Sequence, residues 1–529
     1  MIQRFGKDEI NAVVNSITKA SLLSGYSNKF LGGEILQKFE KEFAKFHNCK
    51  YGISVNSGTS ALFVSQLAAG VKNKKVAIYG MGKSGCSVAL ALKRGGALPI
   101  CWDDNEKARE NASMAGLSLE DLSTSDSWQE FAMLLLSPGI PYLHPFISEV
   151  VERAINAEIP IDNDVGLFFQ NQFYELEKNK SKKSKIIAIT GSNGKSTTSS
   201  LVYHILKNSF GSVQLGGNIG IPLFDLETAL SVDATVMELS SYQLEVAKFL
   251  NADIAVFLNF SPDHLDRHNG AEGYFEAKKR LFGTGERQIS IIGVDETEGT
   301  RLYDELKARG FGPLIKISTK SIIKDDEWAV SVVSGVLYEY RYGKLASEIK
   351  VDNFEGLPGQ HNHQNICAAF AVCRILDISK DEIKNYLLNF EALPHRTQVI
   401  ANINGVLFVN DSKATNAISA SKALNSFSNI HWIAGGRAKT GGIKSLIDDT
   451  GSVKQAYLIG ECATEFSRQL SHVSHIIVNN LENAVTQAYN NALPGEVILL
   501  SPAAASFDNY KNFEERGDHF AKLVNELQN

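Results

Sequence analysis

No two of the six cysteines stand as a C-x-x-C pair; Cys49, Cys86, Cys101, Cys367, Cys373 and Cys462 are scattered over 529 residues. That spacing argues against a zinc ribbon or a disulfide framework and fits a reducing cytoplasm. Long apolar runs are also missing. None approaches the roughly 20 residues that cross a bilayer, and the opening MIQRFGKDEI has no apolar signal core. Basic charge is not in excess: 53 Lys and Arg face 59 Asp and Glu, for a net charge of −6. Nothing therefore points to a nucleic-acid or membrane partner, and any site for anionic phosphate must be built locally. The length accommodates about three or four domains.

What is present is a phosphate-cradle pattern. Ile186–Ile189 is an apolar run that stops at Thr190-Gly191-Ser192-Asn193-Gly194-Lys195-Ser196-Thr197-Thr198, and Ser199 to Lys207 reads as a helix. Strand, glycine turn and helix let backbone N–H groups and a helix N-terminus meet an anion. Lys195 is placed to reach the β- and γ-phosphates, with Ser196 or Thr197 for Mg²⁺. The spacing departs from G-x-x-x-x-G-K-[ST], because Ile189 stands where the first glycine belongs. The competing reading is an ordinary strand–helix turn. Both glycines, the lysine and three hydroxyls in order favour phosphate.

Upstream, residues 1–73 differ in character. Glu34–Phe46 is an amphipathic helix pattern, and Tyr51–Val55 a strand before Asn56-Ser57-Gly58-Thr59. This stretch resembles the N-terminus of the DegT/DnrJ/EryC1/StrS aminotransferases, in which such a turn helps hold the phosphate of pyridoxal phosphate. The large domain with that family's Schiff-base lysine has no counterpart here. The expectation is a truncated fragment without pyridoxal phosphate, ending at Lys72-Asn73-Lys74-Lys75.

Residues 74–182 read as a dinucleotide-type unit. Lys75–Tyr79 is a strand, Gly80-Met81-Gly82-Lys83-Ser84-Gly85 matches G-x-G-x-x-G, and the strand Leu98–Trp102 ends in Asp103-Asp104. Alone the glycine motif is weak; with the acids it favours a nucleotide-like ligand over a solvated turn. Leu134–Leu136 runs into Ser137-Pro138-Gly139, another ligand-edge turn, and Lys178–Lys185 reads as an exposed linker.

Residues 183–392 hold the phosphate loop and further strand-end motifs. Gly216-Gly217-Asn218-Ile219-Gly220 is a loop able to approach a ligand. Ala234–Met237 ends in Glu238, placed as a Mg²⁺ ligand; the plainer reading is a charge near a helix start. Ile254–Leu258 leads to Asp263-His264-Leu265-Asp266-Arg267-His268. His264, Asp266 and His268 resemble zinc ligands superficially, but no second cluster completes a set. Gly283–Phe354 reads as alternating strands and turns. Asn362 and Asn365 lie one helical turn apart, as capping residues or nucleotide contacts. Residues 393–529 carry three strands with polar C-terminal ends, at Asn410–Asn416, Gly435–Lys439 and Ser501–Asp508, where open α/β sheets bind ligands.

From about Lys74 onward these motifs resemble the Mur ligases of peptidoglycan synthesis. They are T-G-S-N-G-K-S-T at Thr190, G-G-N-I-G at Gly216, E-L-S-S-Y-Q-L-E at Glu238, D-H-L-D-R-H at Asp263, G-Q-H-N-H-Q-N at Gly359, L-P-H-R at Leu393, N-D-S-K-A-T-N at Asn410 and K-N-F-E-E-R-G at Lys511. The Asn410 and Lys511 stretches favour the branch that adds D-glutamate, and the D-N-P-R of the diaminopimelate- or lysine-adding branch is absent. The resemblance implies three consecutive α/β domains: a Rossmann-like UDP-binding domain, a P-loop ATPase-like central domain and a Rossmann-like C-terminal domain, preceded by the short extension. It implies a cytoplasmic, monomeric enzyme using ATP and two Mg²⁺ ions. The carboxylate of UDP-N-acetylmuramoyl-L-alanine is phosphorylated, and the D-glutamate amine attacks the acyl phosphate.

The same resemblance assigns roles. Lys195, His264, Lys278 and Asn218 are catalytic. Gly191, Ser192, Asn193, Gly194, Lys195, Ser196, Thr197, Asn362, Asn365, Arg396 and Asp411 take ATP. Ser196, Glu238, His264 and a carbamylated Lys278 serve the metals. Gly82, Lys83, Ser84, Asp103, Asp104, Ser137, Pro138, Gly139, Asn218, Ser240 and Gln243 take the UDP substrate. Lys413, Thr415, Lys439, Ser506 and Phe513 take D-glutamate. Rival readings are a sister ligase of the superfamily, a sugar-nucleotide aminotransferase or regulatory fusion led by residues 1–73, and a nucleotide-binding scaffold without catalysis.

Overall fold

The computed structural model describes residues 75–178, 184–228, 231–284, 287–324, 327–351, 354, 356–357, 359–391, 394–438 and 441–528. The readings of residues 1–73 and of Lys439 lie outside the described residues. The chain divides into two compact units, one within Met1–Ser137 and Glu149–Lys183, the other Pro138–Ser148 with Ser184–Asn529.

The first unit is a parallel sheet of β1 (Lys75–Tyr79), β2 (Leu98–Trp102), β3 (Ser118–Leu119), β4 (Phe131–Leu136) and β5 (Ile161–Asp162), in the order β3-β2-β1-β4-β5. That order reverses direction between β1 and β4, which is where doubly wound sheets take ligands.

The second unit contains two sheets. One has nine strands. Its parallel part runs through β7 (Val213–Gly217), β8 (Ala234–Glu238), β6 (Lys185–Thr190), β9 (Ile254–Phe257), β10 (Ile289–Gly293), β11 (Leu314–Ser318) and β12 (Trp328–Val333). An antiparallel edge of β13 (Val336–Arg341) and β14 (Lys344–Lys350) completes it. The central strands are near-continuous apolar runs because helices cover them. Helix His361–Ile375 is buried at every residue from Ile366 to Cys373 and packs into the same core as Leu201, Val202 and Ile205 of helix Lys195–Ser209. The stretch read as strands and turns also contains a 12-residue helix, Thr297–Ala308, between β10 and β11. It is the crossover that two adjacent parallel strands require.

The other sheet has six strands, β15 (Gln398–Ile403), β16 (Val406–Asn410), β20 (Val497–Leu500), β17 (Ile430–Gly435), β18 (Val453–Ile459) and β19 (His475–Ile477), in that order, parallel except for β15. Side chains of β20 alternate between two cores. Val497 and Leu499 face Leu424 and Phe466, while Ile498 and Leu500 face Val485 and Phe520, as the period of two demands. Among the described residues no helix is long and apolar enough to cross a membrane.

Candidate functional site

β6 ends at Thr190, and the chain then needs two left-handed turns. Gly191 has φ +150° and Gly194 φ +81°. A Cβ on Gly194 would stand 2.3 Å from Asn365 Oδ1, so backbone conformation and close approach both require glycine there. The loop is tied to the end of β9. Ser192 N–H donates to Asn259 O (3.0 Å), Asn193 N–H to Asn259 Oδ1 (2.9 Å), and Ser192 Oγ to Ser261 O (2.9 Å). Gly194 caps helix Lys195–Ser209 with no side-chain hydrogen bond, leaving N-terminal N–H groups for an anion.

Two lysines converge on one carbonyl of this loop. Lys195 Nζ donates to Gly191 O and Ser192 O, both at 2.9 Å, and Lys278 Nζ to Gly191 O at 2.8 Å. Lys278, on helix Ala271–Lys279, is 1% exposed. Burial first, and then the Lys195 charge, push its pKa well below that of a free lysine. Burial likewise lowers Lys195.

Glu238 closes β8 and is 1% exposed. Its Oε1 accepts from Asn218 Nδ2 at 2.7 Å, whereas Oε2 is buried with no hydrogen-bond partner. A carboxylate oxygen left this way fits a hard divalent cation, which prefers oxygen donors. Ser196 Oγ accepts from Arg396 Nη2 at 2.6 Å. Among the described residues no group of three or more His, Cys, Asp and Glu gathers as a metal cluster, so a cation here would rest on few protein ligands.

A cavity of about 380 Å³ runs between the two sheets of this unit. Asn193, Gly194 and Thr197 line it at the loop, with Asn362 and Asn365 on one side and Arg396, Asp411 and Lys413 on the other. Asn365 Nδ2 donates to Asn362 Oδ1 (2.9 Å), and its Oδ1 accepts from Thr198 Oγ1 (3.1 Å), so Asn365 also braces the loop. Asp411 accepts from Thr397 N–H (3.1 Å) and Ser501 Oγ (2.8 Å), and burial raises its pKa to about 7. Lys413 is lowered to about 8 by burial and then by Arg396, and lies 4.9 Å from the Phe513 ring centroid. Ser506 is buried and Thr415 half-buried. Arg516, 1% exposed, ties Phe513's helix down through Ser412 Oγ (3.0 Å), Ser412 O (2.9 Å) and Ala504 O (3.1 Å).

The Asp263–His268 run splits its work. His264 has φ +52° and packs 4.9 Å from the Tyr242 ring. Arg267 instead holds Ile140 O (2.9 Å), His144 O (3.1 Å) and Glu245 (3.1 Å), and buried His268 bonds Ser241 Oγ at 2.9 Å. Pro138 and Gly139 enter this same bracketed segment. Ser240 and Gln243, expected at the UDP substrate, form a reciprocal capping box on helix Ser241–Val246. These hydrogen bonds serve the cap, because the first N–H groups of a short helix need acceptors.

In the first unit, Gly85 is dictated by packing: a Cβ there would fall 2.0 Å from Gly80 O and 2.8 Å from Ser137 Oγ. Asp103 Oδ2 accepts from Met81 N–H at 2.6 Å, and Asp104 Oδ2 from Tyr79 OH at 2.7 Å. Both acids therefore stabilise the glycine turn itself. Gly82 caps helix Lys83–Arg94 without a side-chain bond, and Ser84 bonds buried Asp164.

Sequence reasoning missed Asp295, Glu296, Thr319, Lys320 and Lys422, which also line the cavity. The first four follow β10 and β11, and their position just past parallel strand ends was the available signal. Lys422 stands on helix Ala417–Leu424, and nothing in the sequence aims it at the cavity.

Comparison with known proteins bears on this site. Residues 189–373 match the Mur ligase middle domain and 395–504 the Mur ligase, glutamate ligase domain. Residues 10–107 match the DegT/DnrJ/EryC1/StrS aminotransferase family. That match passes the expected boundary at 73 and crosses β1, the glycine turn and β2, so the composition change at Lys72–Lys75 does not end it. The UDP-N-acetylmuramoylalanine–D-glutamate ligase of Cereibacter sphaeroides is 46% identical over 459 residues, 87% of this chain and 99% of that protein. The enzyme of that name from Roseobacter denitrificans is 46% identical over 456 residues, 86% and 98% of the two chains. In fold, the chain is similar to the UDP-N-acetylmuramate-alanine ligase MurC of Thermotoga maritima (TM-score 0.53, 16% identity, 86% of this chain and 100% of that one). It is also similar to a pseudomurein peptide ligase type C of Methanothermus fervidus (TM-score 0.51, 17% identity, 86% and 100%). With the phosphate loop, the paired lysines and the cavity wall in place, the chain belongs to the Mur ligases, in the family of UDP-N-acetylmuramoylalanine–D-glutamate ligases.

Proposed function

We propose that the chain joins D-glutamate to the L-alanine carboxylate of UDP-N-acetylmuramoyl-L-alanine at the expense of ATP, in the cytoplasm and as a monomer. The observation that carries this is the cavity whose one wall is the phosphate loop and whose other wall is Arg396, Asp411 and Lys413. Residues of one chain line both walls, which supports reading it as a monomer. The described cysteines are all free thiols, in keeping with a reducing compartment.

A carboxylate is a poor electrophile, and moving a phosphoryl group onto it brings anions together, so the site must supply positive charge. Lys195 and Arg396 are this chain's own cations at the loop. Ser196 and Glu238 would hold Mg²⁺, and His264 with Lys278 a second ion; the metal neutralises phosphate charge when bound. Asn218 fixes Glu238 through the 2.7 Å bond. Lys278 is carbamylated in this reading. Its lowered pKa favours the neutral amine that adds to CO₂, losing one proton and gaining two oxygens of the kind hard cations prefer. Thr415, Lys439, Ser506 and Phe513 hold D-glutamate beside Lys413. Gly82, Lys83, Ser84 and Ser137 receive the UDP moiety, with Asp103 and Asp104 shaping the turn.

The test is substrate dependence. Phosphate release from ATP should require both UDP-N-acetylmuramoyl-L-alanine and D-glutamate. Equal or better turnover with L-lysine or a dipeptide would move the chain to a sister activity.

A further inference from the structure

Helix Ala417–Leu424 gives Ile418, Ser419, Lys422 and Ala423 to the cavity wall. Steps of three and four residues put these on one helix face. A helical side chain leans toward the helix N-terminus, so the Lys422 stem leans toward the end that Lys413 and Ala414 lead into. The residue is half-buried. Its Nζ is not shut off from solvent, and among the described residues it makes no hydrogen bond, ion pair or ring contact. The other cations lining the cavity are engaged. Lys320 Nζ donates to the Asp295 backbone carbonyl, Arg396 Nη2 to Ser196 Oγ (2.6 Å), and Lys413 lies over the Phe513 ring.

The charges that act on Lys422 place its ammonium toward the cavity. Arg396 and Glu296 both line it, and Lys195 stands at the loop. Burial, Arg396 and Lys195 bring its pKa down to about 8, and Glu296 is the one acid that opposes them. A free ammonium held among like charges at an open cavity suits an anionic occupant. Of the described residues expected at D-glutamate only Lys413 lines this cavity, whereas Asn193, Gly194 and Thr197 of the phosphate loop all do. The matching anion is the phosphate chain of a nucleotide.

We propose that Lys422 is a further nucleotide-binding residue, whose ammonium binds a phosphate of ATP from the wall opposite the phosphate loop. This rests on the reading of the cavity as the ATP site.

The experiment titrates ATP, ADP and adenosine, each with Mg²⁺, into the full chain and into Lys422→Met, Lys422→Arg and Glu296→Gln, by calorimetry without the other substrates. Lys422→Met should weaken ATP by about tenfold or more, the size of a lost charge-assisted hydrogen bond, and leave adenosine within about twofold. Lys422→Arg, which keeps the charge, should hold ATP within about threefold. ADP weakened alongside ATP places the contact on the phosphates that ADP keeps, and ADP unchanged places it on the γ-phosphate; both support the proposal. Glu296→Gln should leave ATP binding equal or tighter. ATP affinity unchanged in Lys422→Met overturns the proposal, and so does an equal loss for adenosine, which would mark a contact to the nucleoside or a collapsed wall. Equal losses in Lys422→Met and Lys422→Arg overturn it as well. So does a loss of the same size in Glu296→Gln, which would mark Lys422 as the counter-ion of Glu296. Absence of both ATP binding and ATP-dependent turnover in the unaltered chain would instead refute the reading of the cavity.

Discussion

Replacing Lys278 by alanine separates a structural lysine from a chemical one. The substitution removes three buried methylenes at about 0.8 kcal/mol each, a loss of about 2–3 kcal/mol. Against this stands relief from burying an amine 1% exposed and without an ion pair among the described residues. Gly191 O keeps its bond from Lys195 at 2.9 Å, so no acceptor is orphaned. The net stability change should be small, about 2 kcal/mol or less, because the two terms oppose. Turnover should fall on the order of 10²–10³-fold, as when one group aimed at developing charge is lost. Initial rates of phosphate release and urea unfolding of the same preparation measure both. Short carboxylic acids, which offer the oxygens of a carbamate, should restore part of the rate, and CO₂-depleted buffer should slow the unaltered enzyme. Full activity of Lys278→Ala without added acid would refute the reasoning.

Glu238→Ala should abolish turnover while the fold survives, since the one side-chain hydrogen bond lost is that from Asn218 Nδ2; near-normal phosphate release would sink the metal assignment. Gly194→Ala forces a side chain into φ +81° and against Asn365 Oδ1; it should cost about 2–3 kcal/mol in urea unfolding, from the left-handed strain and the lost Thr198 bond, and an unchanged midpoint would contradict that. Lys422 is lowered by burial to about 8 from 10.5, so the unfolded chain binds more protons between those values and stability contributed by this group rises with pH across the window. Lys422→Met should reduce that slope, and the same slope in both proteins would refute it. A chain beginning at Lys74 should keep ligase activity, and the full chain should show no aldimine absorbance with pyridoxal phosphate; loss of activity with the fold intact would give residues 1–73 a role.

The phosphate loop was legible because its elements are local: β6, both glycines and Lys195 fall within ten residues of one another. The same holds for Gly80–Gly85, which leads from β1 into helix Lys83–Arg94. Ser240 and Gln243 were read only for a substrate role, and the capping box they form on helix Ser241–Val246 is a local S-x-x-Q pattern that the reading passed over. Helix Thr297–Ala308 was missed in a stretch without chemical motifs. Glu296, Lys320 and Lys422 were missed for different reasons. Glu296 and Lys320 stand just past the ends of β10 and β11, a signal the reading did not use, whereas Lys422 reaches the cavity from helix Ala417–Leu424 and no sequence spacing encodes that. Asp103 and Asp104 show the reverse case: their position past β2 was clear, yet their bonds to Met81 and Tyr79 required the folded turn.

The phosphate-loop cavity as the seat of carboxylate activation is tested most directly by isotope transfer. UDP-N-acetylmuramoyl-L-alanine labelled with ¹⁸O in its alanine carboxylate is turned over with ATP and D-glutamate, and the released phosphate is weighed by mass spectrometry. An acyl phosphate requires one carboxylate oxygen to leave with the phosphate when the amine attacks, so the phosphate should carry a single ¹⁸O. Phosphate released without label, alongside amide product, would contradict the account.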